Sequence, residues 1–99
     1  MKLSMFSVYD KAVQAWLPPF FARAKGEALR NFSAACNDKE HLFFKHIGDY
    51  YLAFLGEWDD STGLFDAIEP VRLVSAQECL VDDSEVFTEA NKFPKRLPM

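Results

Sequence analysis

Four carboxylates flank one short turn of the chain, and their chemistry could serve metal binding or proton transfer. They are Glu57, Asp59, Asp60 and Asp66. A calcium-binding loop needs ligands at alternate positions, then a glycine and a distal glutamate. Here Gly63 falls one position early and no later residue completes the pattern. We therefore predict a solvated turn without a metal ion.

A second set of potential ligands is formed by Cys36, His41 and His46, which fall within eleven residues. A zinc site needs a fourth ligand and tighter spacing. Cys36 also lies in an apolar stripe, where a cysteine behaves as a small hydrophobe and its thiol is not activated. The sequence contains no glycine-rich phosphate loop, G-x-S-x-G elbow or H-E-x-x-H pair. We predict no metal, no cofactor, no catalytic residue and no enzymatic activity.

Basic and aromatic side chains form a third pattern, between residues 20 and 45. Proteins hold single-stranded nucleic acid with cations that follow the phosphates and rings that stack on the bases. The pattern is compatible with such binding, but aromatic residues beside prolines also commonly anchor a loop to the core, and both interpretations remain open. The candidate nucleic-acid-binding residues are Arg23, Lys25, Arg30, Lys39, Lys45, Phe20 and Phe21.

Charge is distributed unevenly along the chain. Residues 1–46 hold seven basic and four acidic groups, a net charge of +3, whereas residues 47–91 hold one basic and eleven acidic groups, a net charge of −10. Residues 92–99 add three basic groups, and the whole chain carries −4. This asymmetry can mark a nucleic-acid-binding half beside an acidic half, or two solvated faces that attract each other.

The N-terminal part of the chain must position these side chains. The stretch KLSMFSVYD alternates in a way that predicts a strand buried on both faces, hence a central one. Pro18 and Pro19 exclude a continuous helix and predict a shaped loop. We expect Trp16, Phe20 and Phe21 to pin that loop to the core.

A helix of ten to twelve residues is predicted from Gly26, because the apolar residues that follow have helical spacing and Asn37-Asp38 supplies a stop. A link through residues 38–49 comes next. The segment YYLAFLGEW alternates again and predicts a strand, with Tyr51, Ala53, Leu55 and Glu57 on one face.

The turn DDSTG then predicts a hairpin to the short strand LFDAI. We expect Pro70 to end this hairpin and VRLV to form a further edge strand. Ser75 and Glu78 have the spacing of a capping box, which predicts a short helix. A strand, helix and strand in one sheet favour a right-handed crossover.

Together these elements predict an α+β fold: a small, mostly antiparallel sheet with one main helix packed on one face. Their order is strand, loop, helix, strand, strand, then a short strand or helix. Residues 1–81 should form a single domain and residues 82–99 a flexible, acidic-then-basic tail. Two cysteines and the absence of a long apolar run favour a reduced, intracellular, soluble protein. Because a core of this size gives little stability, we expect a homodimer.

Three stretches carry a resemblance to a known family: VYDKAVQAWLPPFF, GEALRNF and FFKHIGDYYLAFLGEWDDSTG. They resemble the small nonstructural protein of gokushovirus-type microviruses, the single-stranded DNA phages of bacteria. The resemblance covers residues 5 to 63 well. The matching positions are Tyr9, Asp10, Pro19, Phe20, Phe21, Ala28, Arg30, Phe32, Lys45, His46, Asp49, Tyr50, Gly56, Asp59 and Gly63.

The resemblance implies a DNA-binding phage protein that is absent from the mature capsid and assists the switch to single-stranded genome synthesis and its packaging, in the cytoplasm of the bacterial host. The implied partners are the single-stranded genome and phage replication or procapsid proteins. No catalytic residue follows from it. The alternative is a protein-interaction factor whose acidic surface engages a viral or host protein.

Overall fold

The computed structural model describes residues 1–81, in which five strands and three helices are found. These elements are β1 (Lys2–Asp10), β2 (Ala15–Trp16), β3 (Phe20–Ala22), α1 (Lys25–Cys36), α2 (Leu42–Lys45), β4 (Tyr50–Asp59), β5 (Phe65–Ser75) and α3 (Ala76–Cys79). The predicted α+β class, with a mostly antiparallel sheet and one main helix on one face, is confirmed. The tail predicted for residues 82–99 lies outside the described residues.

β1 lies inside the sheet, as its two apolar faces predicted. β4 pairs with one edge of β1 and β5 pairs with the far edge of β4. β2 and β3 pair with successive parts of the other edge of β1. These pairings are all antiparallel. The expected right-handed crossover is therefore wrong, because that rule governs parallel strands.

The Pro18-Pro19 loop separates β2 from β3. The N–H of Leu17 donates to the Val8 carbonyl (2.9 Å), but the prolines have no N–H, so pairing resumes only at Phe20. Phe20 packs against the core as predicted. The prediction is wrong for Trp16 and Phe21, because strand alternation sends these two rings to the other face of the sheet.

α1 covers one face of the sheet with its buried stripe of Ala28, Phe32 and Cys36. The helix ends at Asn37, as the sequence predicted. The link that follows contains α2, which the sequence did not predict. The Nδ1 atom of His41 accepts the Phe43 N–H (3.0 Å) and caps this short helix.

β4 runs over the predicted residues, but its alternation breaks at a bulge. In β4, the partner of Met5 is Gly56 and that of Phe6 is Phe54, so Leu55 is the extra residue. The face predicted to carry Tyr51, Ala53, Leu55 and Glu57 is therefore wrong beyond Ala53. Pairing places Glu57 opposite Ser4 on the side of the helices, and Trp58 opposite Leu3 on the other side.

β5 is one strand, whereas the sequence predicted two pieces divided at Pro70. Within the described residues β5 is the outermost strand of the sheet, where the missing N–H of proline breaks no ladder hydrogen bond. Its pairing with β4 jumps from Ala67 to Val71, so Pro70 sits in an irregular stretch. A proline on an edge strand is thus tolerated here without ending the strand.

The sheet face away from the helices has no helix packed on it in the described part of the chain, and we call it the open face. Cross-strand pairing and ring contacts place on it an aromatic group at each end, with small and aliphatic residues between. Its residues are Tyr9, Trp16, Tyr51 and Arg72 at one end, Met5, Ser7 and Ala53 in the centre, and Leu3, Phe21, Trp58 and Phe65 at the other end.

α3 begins at the predicted capping box. The N–H of Ser75 donates to Glu78 Oε1 (2.8 Å), and the N–H of Glu78 donates to Ser75 Oγ (3.1 Å). The first of these bonds, to the carboxylate, holds the pKa of Glu78 below its ordinary value. Both backbone N–H groups, of Ser75 and Glu78, therefore have a hydrogen-bond acceptor at the start of the helix.

Replacement of Gly56 by alanine should destabilise the fold strongly. Gly56 has φ +128°, and an added Cβ would collide with the Asp66 carbonyl oxygen and lie 3.0 Å from Ala67 Cα. We expect a loss of about 2–4 kcal/mol in the free energy of unfolding, measured by urea denaturation. Gly48→Ala is the matched control, because an added Cβ there meets nothing within 4 Å. Equal stability of the two variants would contradict this close approach of Gly56 to β5.

The capping box should make stability depend on acid pH. Because the folded-state pKa of Glu78 is lowered, its charged form stabilises the fold fully above the unfolded pKa, and this contribution disappears as pH falls through the folded pKa. The melting temperature should therefore fall more steeply below about pH 4.5 in the wild type than in Glu78→Gln. Glu69→Gln removes an equal charge from an exposed site outside the box and serves as control. Parallel profiles for the wild type and Glu78→Gln would contradict the prediction.

Candidate nucleic-acid interface

A groove of about 550 Å³ lies on the helix layer, where α1, α2 and the end of α3 meet. Its volume is in the usual range for small-ligand sites. The described residues that line it contribute two cations, one aromatic ring, two small polar groups and three apolar side chains. They are Arg30, Ser33, Ala34, Asn37, Lys39, Phe44, Leu80 and Val81.

The helical period of α1 positions one wall of this groove. Arg30, Ala34 and Asn37 recur at spacings of four and three residues and so form a stripe along one side of the helix. The buried stripe that begins at Ala28 points to the sheet instead. The two stripes let one helix serve both the core and an exposed site.

Asn37 connects the groove walls through both ends of its side-chain amide. Its Nδ2 donates to the carbonyls of Ser33 (2.8 Å) and Cys79 (2.9 Å), and its Oδ1 accepts the Val81 N–H (2.8 Å). One side chain thus holds the chain after α3 against the last turn of α1. Leu80 and Val81 are exposed, so burial of their side chains does not hold this wall of the groove in place. The hydrogen bonds of Asn37 do.

The groove has the chemistry of an anion and ring site. Arg30 and Lys39 are exposed cations, and no carboxylate is among the described residues that line the groove. A guanidinium can bind a phosphate through two hydrogen bonds, while a lysine provides a mobile point charge. Phe44 adds an aromatic ring on which a base could stack.

The other predicted cations lie outside this groove. Lys45 is the neighbour of Phe44 in α2 and is exposed. Lys25 lies at the opposite end of α1, where its Nζ is 5.0 Å from the centre of the Phe54 ring. Arg23 follows β3, and its N–H donates to Glu27 Oε1 (2.9 Å).

The two predicted stacking residues lie on opposite faces of the sheet. The ring of Phe20 stacks on Phe6 with centroids 5.8 Å apart and faces a separate apolar cavity of about 270 Å³. Phe21 is exposed on the open face, with its ring 5.6 Å from Trp58. Neither ring lines the groove. Its aromatic residue is Phe44, which precedes Lys45 in the sequence as Phe20 and Phe21 precede Arg23 and Lys25.

The clustered carboxylates sit at the free end of the β4–β5 hairpin. Glu57 and Asp66 are cross-strand partners, and Lys2 Nζ lies 3.9 Å from Glu57 Oε1. The Ser61 N–H donates to Asp59 (2.9 Å) and holds the pKa of that carboxyl below its ordinary value. Across residues 1–81, no three His, Cys, Asp or Glu side chains are grouped so as to hold a metal ion.

Cys36 is buried and unactivated, as the sequence predicted. Burial, followed by the nearby Cys79, raises the pKa of its thiol to about 12. The pKa of Cys79 is also raised, mainly by burial. Neither thiol is therefore a ready nucleophile at neutral pH. Among the described elements there is also no helix with the length and apolar character needed to cross a membrane.

Comparison with known proteins gives one family match. A family model described as Phage ORF5 protein matches residues 3–79, which include every described strand and helix apart from the first residue of β1. No curated protein and no solved structure matches the chain. Because the match spans most of its length, the chain is a phage protein and belongs to the Phage ORF5 protein family.

Proposed function

We propose that this phage protein is a non-enzymatic nonstructural protein of the microvirus type that binds single-stranded DNA. Its role is to assist the switch to single-stranded genome synthesis or genome packaging in the cytoplasm of the bacterial host. The observation that carries the proposal is the groove, which joins Arg30, Lys39 and Phe44 without a carboxylate among its described lining. The similarity of residues 5 to 63 to the microvirus protein supports the same role.

The negative net charge of the chain opposes DNA binding, and the groove offers a surface where cations could overcome it. A chain of net charge −4 repels phosphates at long range, so its cations must be concentrated on one surface. Arg30 and Lys39 line the same groove, and the hairpin carboxylates Glu57, Asp59 and Asp66 line a separate cavity beside Lys2. A phosphate in the groove would meet both cations at short range, where screening by salt is weakest.

The remaining basic residues lie near the two ends of α1. The helix has twelve residues and is about 18 Å long. Lys45 follows the groove residue Phe44 in α2, and Arg23 and Lys25 lie at the other end of α1. A strand of a few nucleotides can follow such a path, with its phosphates near the cations and one base on Phe44.

Loss of either groove cation should weaken binding to single-stranded DNA. We expect Arg30→Ala and Lys39→Ala each to lower affinity for a strand of roughly 30 nucleotides, with a similar loss for different base sequences. Each variant should also reduce the slope of log affinity against log salt by about 0.7, since one phosphate contact is lost. The measurement is fluorescence anisotropy across a salt series, with a duplex of equal length beside the single strand.

Lys11→Ala is the matched control, because Lys11 is an exposed lysine beyond the end of β1 and outside the groove. Circular dichroism should show all three variants folded. Unchanged affinity and slope in an Arg30→Ala/Lys39→Ala double variant would refute the groove as the binding site. No binding by the folded wild type at low salt would refute the function itself.

A second candidate function is favoured by the acidic end of the hairpin. A cavity of about 320 Å³ there is lined by Glu57, Asp59 and Asp66 together with the apolar Leu64 and Phe65. Carboxylates beside exposed apolar side chains suit a basic and apolar segment of a partner protein. Binding of a purified phage replication or procapsid protein that is lost in Asp66→Lys, with DNA binding retained, would support this alternative.

A further inference from the structure

Several large aromatic side chains on the open face are exposed to solvent. Trp16 is 40% exposed, Phe21 44% and Phe65 63%. Between the two aromatic ends, Met5, Ser7 and Ala53 are already buried. The surface that meets solvent is therefore aromatic, and exposed apolar patches of this kind mark interaction sites.

Charge is sorted between the two faces of the sheet. Cross-strand pairing places Asp10, Glu57, Asp59 and Asp66 on the side of the helices. Of the residues that pairing assigns to the open face, Arg72 alone is charged. Its guanidinium carbon lies 4.9 Å from the centre of the Tyr51 ring, so this charge is held against an aromatic surface.

This charge pattern favours an apolar protein partner over nucleic acid. Affinity for DNA comes mainly from neutralised phosphates, and one arginine neutralises few of them. A face without carboxylates can instead meet an identical face without repulsion between like acidic groups. Two copies related by a two-fold axis would satisfy this condition with a single surface.

The face is also large enough for such an interface. β1, β4 and β5 have nine, ten and eleven residues. With about 3.3 Å per residue and about 4.8 Å between strands, the face measures on the order of 30 Å by 15 Å. Two opposed faces of this size would cover on the order of 1,000 Å² in total, which is the range of weak, reversible association.

We propose that the open face packs against the open face of a second copy of this chain, so that two sheets lie face to face with a layer of helices on each outer side. Aromatic rings from both copies fill the space between the sheets, which lie about 10 Å apart in such packing. The groove of each copy then points away from the interface and stays accessible. The inference does not depend on DNA binding.

The test introduces a charge at each end of the open face. Phe21→Glu and Phe65→Glu change exposed residues, so each monomer should keep its fold. Leu42→Glu is the matched control, because Leu42 is an equally exposed apolar residue on the helix layer. Sedimentation equilibrium should give twice the chain mass for the wild type and Leu42→Glu, and a twofold lower mass for the two phenylalanine variants. A wild type that is monomeric up to high micromolar concentration would overturn the proposal, as would dimeric Phe21→Glu and Phe65→Glu.

Intrinsic fluorescence provides a second readout, since the chain has two tryptophans, Trp16 and Trp58, and both lie on the open face. Iodide should quench their emission less at concentrations where the wild type is dimeric than after dilution to the monomer. Single-stranded DNA bound in the groove should leave the emission unchanged. Strong quenching by the oligonucleotide would assign the open face to DNA and overturn the proposal.

Discussion

The close approach of β4 to β5 at Gly56 determines which side chains each face of the sheet carries. A residue with a Cβ is strongly disfavoured at this position, because the Cβ would collide with the Asp66 carbonyl oxygen. The bulge that Gly56 permits shifts the alternation of β4 by one residue. Glu57 moves to the helix side and Trp58 to the open face. Without that shift a carboxylate would lie in the middle of the aromatic surface, and the separation of charge from apolar area would be lost.

The helix layer depends on the other face of the same sheet. Phe6 and Leu52 are fully buried beneath α1, and the capping box turns the chain from β5 directly into α3. α3 is too short to be stable alone. Its end is held against α1 by Asn37, whose Nδ2 donates to the Cys79 carbonyl and whose Oδ1 accepts the Val81 N–H. The groove is therefore a product of tertiary contacts that join residues 30–44 to residues 80 and 81.

Local patterns in the sequence were sufficient for β1, α1, the hairpin and the capping box, because each depends on the spacing or type of neighbouring residues. They failed where a distant strand decides the outcome. Pro70 predicts a strand end, yet it lies on an edge strand, where its missing N–H breaks no ladder hydrogen bond. The bulge at Leu55 depends on the backbone of β5, and the faces of Trp16 and Phe21 depend on pairing with β1. Arg30 and Lys39 were identified as cations, but their meeting with Phe44 depends on α2, which has no strong sequence pattern.

The two proposed surfaces are compatible because they lie on opposite sides of one sheet. Packing through the open face would remove apolar area from solvent and would leave the cations on the outer layers. A dimer of net charge −8, twice the −4 of one chain, gains nothing in overall attraction for DNA. It presents two grooves, however, and a strand that engages one groove meets the second at a raised effective concentration. Two grooves of modest affinity could in this way bind a long single strand tightly, although each copy is acidic.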